Sequence, residues 1–152
     1  MDSMNILVVD DSPIITRKLT MMVELLGYKV VKTAATGREA VAAYRAYRPD
    51  VVTMDITMPD MDGIEATRLI LGEFPDAKII MVTSHGQEKM IIDSLKAGAK
   101  GYVLKPFDGH KVNAAIQKAC KRVVLMDKLQ SEIVQRAVVV PETEPSAKVS
   151  EE

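Results

Sequence analysis

Five short runs rich in apolar and β-branched residues punctuate the chain, at 5–10 (NILVVD), 28–34 (YKVVKTA), 50–55 (DVVTMD), 77–83 (AKIIMVT) and 100–105 (KGYVLK). Between them apolar residues recur at three- and four-residue spacing, the period of a helix with one buried face. Regular alternation of such runs predicts an α/β fold in which helices wrap a parallel sheet, because each parallel crossover needs a connecting helix. Ser12 before Pro13 predicts an N-cap with proline in the first helical turn. Ile15, Leu19, Met22, Val23 and Leu26 then line one face as far as Gly27. Thr36 and Glu39 have capping-box spacing ahead of a second helix, and a fourth starts near Gln87 and stops at Gly98.

The helical period runs on past the point where a fifth helix would have covered its sheet. Val112, Ile116, Ala119, Val123 and Met126 are spaced by four, three, four and three, and Ile133 resumes the face after Gln130. Residues 123–140 are therefore predicted to be a helical extension. It either pairs with its copy in a homodimer, docks on a partner protein, or folds back over a groove of the same domain. The last stretch, 141–152 (PETEPSAKVSEE), has the composition of a disordered tail.

A chain of 152 residues with 47% apolar content suits one compact domain. Twenty Lys and Arg against 21 Asp and Glu give no broad basic field, which argues against direct nucleic-acid binding. No apolar stretch approaches the length of a membrane span, and the first residues, MDSMN, do not open a signal peptide, so a cytoplasmic protein without a membrane segment is the expectation. Cys120, the single cysteine, has no partner for an internal disulfide and reads as a packed thiol. The ten methionines read as gap fillers or as neighbours of the site.

Polar residues gather at the carboxyl ends of the predicted strands. Strand one ends in Asp10 and Asp11, strand three in Asp55, strand four in Thr83 and Ser84, and strand five in Lys105. In a doubly wound sheet these ends share one edge, where ligands bind at the reversal of strand order. With the flavodoxin-like order 2-1-3-4-5, strands one and three are neighbours and their three carboxylates meet. Three such groups repel unless a cation neutralises them, and an all-oxygen ligand set suits Mg2+. A carboxylate can also attack phosphorus, provided that metal, ammonium and hydroxyl donors neutralise the transferring oxygens. Asp55, Lys105 and Thr83 fit these roles. Taken singly, each landmark has a plainer reading: Asp10 and Asp11 as helix caps, Asp55 as a turn residue, Ser84 as an N-cap, Lys105 as a solvated lysine. Their coincidence at one edge favours the chemical reading.

VVDDS, TMDITMPDMDG, VTS and GYVLKPF occur in one order and at spacings that resemble the receiver domain of bacterial response regulators, most closely the stand-alone chemotaxis kind, over about residues 4–122. The resemblance implies that Asp55 accepts a phosphoryl group from a histidine kinase, and that Asp10, Asp11, Asp55 and the backbone carbonyl of Thr57 surround Mg2+. It implies that Lys105 pairs with the phosphoryl group, that Thr83 turns its hydroxyl toward it, and that Tyr102 swings inward in the same transition. Thr57 and His85 stand where the family tunes hydrolysis, and the Lys105–Pro106 bond would be cis.

Two other classes share parts of this pattern. An aspartyl-phosphate phosphatase would need a second carboxylate two residues after a nucleophile on strand one, where this chain has Ser12. A flavodoxin-like carrier would need a hydroxyl- and glycine-rich phosphate loop in place of DDSPII. No winged-helix or cyclase segment follows residue 122, so output is expected through the receiver's own surface. That output would be a downstream protein target or a histidine phosphotransfer domain, although the Pro- and Glu-containing tail would equally suit a linker to a further domain.

Overall fold

The computed structural model describes residues 4–120. Its first unit ends at Cys120. The expected extension at 123–140, with its dimerising or docking role, and the tail at 141–152 lie outside the described residues.

The elements follow in strict alternation: β1 (Asn5–Val9), α1 (Pro13–Leu25), β2 (Lys29–Ala34), α2 (Gly37–Tyr47), β3 (Val51–Asp55), α3 (Gly63–Glu73), β4 (Ile79–Ser84), α4 (Glu88–Ala97) and β5 (Gly101–Lys105). A fifth helix, α5, is described over 109–120. All strands are parallel, in the order β2-β1-β3-β4-β5. The sheet is buried on both faces because alternate side chains feed two separate cores. Leu7, Val9, Val52, Met54, Ile79 and Met81 pack with residues of α2, α3 and α4, whereas Ile6, Val8, Val51, Ile80, Val82 and Val103 pack with Leu19 and Val23 of α1 and with Val112, Ile116 and Ala119 of α5. Burying each such side chain contributes about 1.5–3 kcal/mol, so sandwiching the central strands dominates the stability of this fold. No helix among the described residues is long and apolar enough to cross a membrane.

Local chemistry explains where the helices begin. Ser12 Oγ accepts from the Ile15 N–H at 3.3 Å and Pro13 opens α1, as the sequence suggests. The buried face of α1 stops at Val23, however, and Leu26 at its cap is 36% exposed. Thr36 caps α2 by accepting from the Glu39 N–H at 3.0 Å, while the Glu39 carboxylate accepts from the Ala35 N–H at 2.9 Å, one residue earlier than a standard capping box. Asp62 caps α3 in the same way, accepting from the Glu65 N–H. Ser84 is not an N-cap: it closes β4, and α4 starts after Gln87 without a side-chain cap. Gly98 ends α4 with φ +116°, a conformation that favours glycine. Cys120 is partly buried, its Sγ 3.6 Å from Met4 Sδ, and burial pushes its thiol pKa up, in keeping with a packed rather than reactive thiol.

Candidate functional site

Strand register brings the polar strand ends together. Val9 pairs with Met54, so Asp10, the next residue, arrives beside Asp55; Asp55 pairs with Val82, one residue before Thr83; and Ser84 pairs with Lys105. The backbone of Asp10 is tied to the far side by its N–H, which donates to Ala34 O at 3.0 Å. The chain then turns sharply into α1, with the Ser12 N–H donating to Asp10 Oδ1 at 2.9 Å and the Thr16 hydroxyl to Asp10 O at 3.2 Å. Asp10 therefore holds the turn with one carboxylate oxygen and keeps the other for the site.

Asp10 and Asp55 are buried at the sheet edge, Asp11 is exposed above them, and one oxygen from each lies within 4.8 Å of the other two. Lys105 reaches in from β5. Its Nζ donates to Asp55 Oδ1 at 3.3 Å and stands 3.1 Å from Asp10 Oδ2. The second contact is an ion pair without hydrogen-bond alignment, which leaves the buried Asp10 Oδ2 without a donor. One ammonium against three carboxylates leaves the cluster short of positive charge. Burial, and then the neighbouring Asp10 charge, raise the Asp55 pKa from 3.8 to about 6 despite the opposing pull of Lys105. Burial works against the Lys105 ammonium too, but Asp55 and Asp10 outweigh it and hold its pKa above the ordinary value. A buried acceptor without a donor, beside an all-oxygen donor set with excess negative charge, fits a small hard divalent cation such as Mg2+.

The other predicted residues divide. Thr83 is 1% exposed, and its hydroxyl donates to Gln87 Oε1. Thr57, two residues past the acidic strand end, is exposed, and its Oγ1 accepts from Gln87 Nε2 at 3.0 Å. His85 is exposed in the turn between Thr83 and Gln87. Tyr102 is 47% exposed on β5 and so stands outward. The Lys105–Pro106 bond is cis. Sequence reasoning gave Gln87 no part in the site beyond a helix boundary, yet it joins Thr83 to Thr57. The chain bends at Gly86, with φ +92°, directly before Gln87, and a lone glycine in a loop was the single available signal.

The family described as response regulator receiver domain matches residues 6–117. The chain is 44% identical to the chemotaxis protein CheY of Thermotoga maritima over 116 residues, covering 76% of this chain and 97% of that one. It is 42% identical to the CheY of Listeria monocytogenes over 118 residues, covering 78% and 99%. Among solved structures it is similar to a CheX-CheY complex with BeF3 and Mg2+ from Borrelia burgdorferi, with 39% identity and a TM-score of 0.71 over 74% of this chain and 86% of that one.

Proposed function

We propose, from the premise that this chain belongs to the response regulator receiver domain family, that it is a cytoplasmic phosphoacceptor switch whose residues 4–122 accept a phosphoryl group on Asp55 from a histidine kinase and change partner binding in response. The observation that carries the reading is the buried Asp55 carboxylate at the β1/β3 switch point, flanked by Asp10, Asp11 and Lys105. Asp10, Asp11, Asp55 and the Thr57 carbonyl would hold Mg2+, which when bound neutralises charge on the carboxylates and on the transferring phosphoryl oxygens. An oxygen of ionised Asp55 forms the new bond to phosphorus as the bond from phosphorus to the donor breaks, the electron pair leaving with the donor. Lys105, already oriented by Asp55 and Asp10, pairs with the incoming oxygens, and Thr83 reads their presence by turning its hydroxyl toward them.

The chain acts as a signalling module rather than a phosphatase. Ser12 occupies the position where a phosphatase needs a second carboxylate, and its Oγ caps α1. Tyr102 stands at a groove that it lines with Lys100, Lys111 and Lys118, so its inward movement would reshape a surface available to a protein target. The chemotaxis relatives favour a chemotaxis-type target, and CheX in the Borrelia complex shows the kind of protein partner a close relative takes.

Incubation with acetyl phosphate should add one phosphoryl group, detectable by intact mass, only when Mg2+ is present. Uptake that is undiminished in excess EDTA would overturn the reading. Replacing Asp10 by Asn removes a negative ligand from the buried part of the cluster and should weaken Mg2+ binding by about tenfold or more in a calorimetric titration. Asp11→Ala should act in the same direction, and unchanged affinity in both variants would remove the cluster as the metal site.

A further inference from the structure

The Gln87 side chain sits where three segments of the site meet. Its amide orientation follows from its partners: the Ser84 backbone N–H can only donate, so the atom it meets at 3.2 Å is the carbonyl oxygen Oε1. The other arm is therefore the NH2 group, which donates to Thr57 Oγ1 at 3.0 Å and lies 3.7 Å from Met90 Sδ. Because Oε1 carries no hydrogen, the bond between it and Thr83 uses the one proton of the Thr83 hydroxyl. That proton is the group a phosphoryl oxygen on Asp55 would need.

We propose that Gln87 is a positioning residue that latches the resting state of the receiver, holding the Thr83 hydroxyl so that a phosphoryl group on Asp55 must displace it. The inference rests on the reading of Asp55 as phosphoacceptor. A ligand shifts an equilibrium only through contacts that differ between the two states, and the Thr83 hydroxyl makes one bond or the other, never both. Release is cheap: Oε1 keeps its bond from the Ser84 N–H when Thr83 turns away, and the NH2 group keeps Thr57. The latch thus opposes the phosphorylated state by about one net hydrogen bond without dismantling the β4–α4 turn.

Gln87→Leu keeps the bulk and removes both arms. In the full chain with Mg2+, it should bind beryllofluoride, a phosphoryl mimic, about two- to tenfold more tightly than the unsubstituted protein. In metal-free, unmodified protein the same substitution should move the Thr83 methyl resonance part of the way toward its position in the beryllofluoride complex. Thr83→Val removes the hydroxyl at nearly constant shape, so adding Gln87→Leu to it should leave beryllofluoride affinity unchanged. This double-mutant comparison separates the latch from a general loosening of the turn. Equal affinity of Gln87→Leu and the unsubstituted protein, or an effect of Gln87→Leu that persists undiminished in Thr83→Val, would overturn the latch while leaving the phosphoacceptor reading intact. Failure of the unsubstituted protein to bind beryllofluoride at all would overturn both.

Discussion

Asp55→Asn is expected to abolish phosphoryl uptake from acetyl phosphate and, in the same protein, to raise the melting temperature of the metal-free fold. The first effect follows from the loss of the nucleophile: a neutral amide cannot form the acyl phosphate, and the other buried carboxylate beside Lys105, Asp10, is held in the turn into α1 by the Ser12 N–H. The second follows from charge. Folding raises the Asp55 pKa from 3.8 to about 6, through burial first and the Asp10 carboxylate next. The folded state therefore takes up a proton between about pH 4 and pH 6 that the unfolded state has already released. The stability this proton confers is fully present below about pH 4, declines as pH rises through that window, and is gone above about pH 6. A shift of this size corresponds to somewhat under 3 kcal/mol, and solvent at the open edge of the site reduces it to about 1–2 kcal/mol. Asp55→Asn should thus melt roughly 5 °C higher at pH 7.5 in EDTA and should lack the decline between pH 4 and pH 6. Saturating Mg2+ should narrow the gap by stabilising the unsubstituted protein more than the variant. Scanning melts across pH with EDTA or Mg2+, paired with intact mass after acetyl phosphate, checks both effects. Labelling of the variant to the same extent would sink the acceptor assignment, and a lower melting temperature in EDTA would sink the electrostatic account.

The alternation of β-branched runs with helical periods was enough to read the sheet, because each central strand is apolar on both faces and only a doubly covered parallel sheet buries such runs. The site was legible for a related reason. Asp10, Asp11, Asp55 and Lys105 are polar residues that end apolar runs, so strand order alone brings them to one edge. Gln87 was illegible because its role depends on backbone dihedrals at Gly86 and on a side chain folding back across a turn, neither of which leaves a periodic trace. Ser84 misled for the same reason: a hydroxyl residue after an apolar run signals an N-cap, but β4 continues through it and the turn that follows delays α4 to Glu88. The outward stance of Tyr102 followed from the family resemblance and not from the strand pattern, since an aromatic on an edge strand has both a core face and an open face available to it.

Two glycines of one helix should respond to the same substitution with opposite signs, and the first ties the packing of α3 to the chemistry of Asp55. Gly63 opens α3 directly against the end of β3: its N–H donates to Ile56 O at 2.7 Å, and a Cβ placed on it would overlap the backbone carbonyl oxygen of Asp55 and come within 3.0 Å of Met54 Cγ. A flexible side chain could move aside, but a strand backbone paired to β1 on one side and β4 on the other cannot do so cheaply. Either α3 backs away, opening the core around Ile64, Ala66 and Ile70, or the end of β3 shifts and carries the Asp55 carboxylate out of register with Asp10 and Lys105. Gly63→Ala is therefore expected to cost about 3 kcal/mol, lowering the melting temperature by on the order of 10 °C. It should also slow labelling by acetyl phosphate well below the rate of the unsubstituted protein at a temperature where both are folded. Gly72, about two and a half turns along the same helix and exposed, has nothing within 4 Å of its would-be Cβ, so Gly72→Ala should instead stabilise by about 0.5–1 kcal/mol through helix propensity and leave labelling unchanged. A Gly63→Ala protein that melts within a degree or two of the unsubstituted one and labels at the same rate would mean that α3 does not clamp the phosphoacceptor strand.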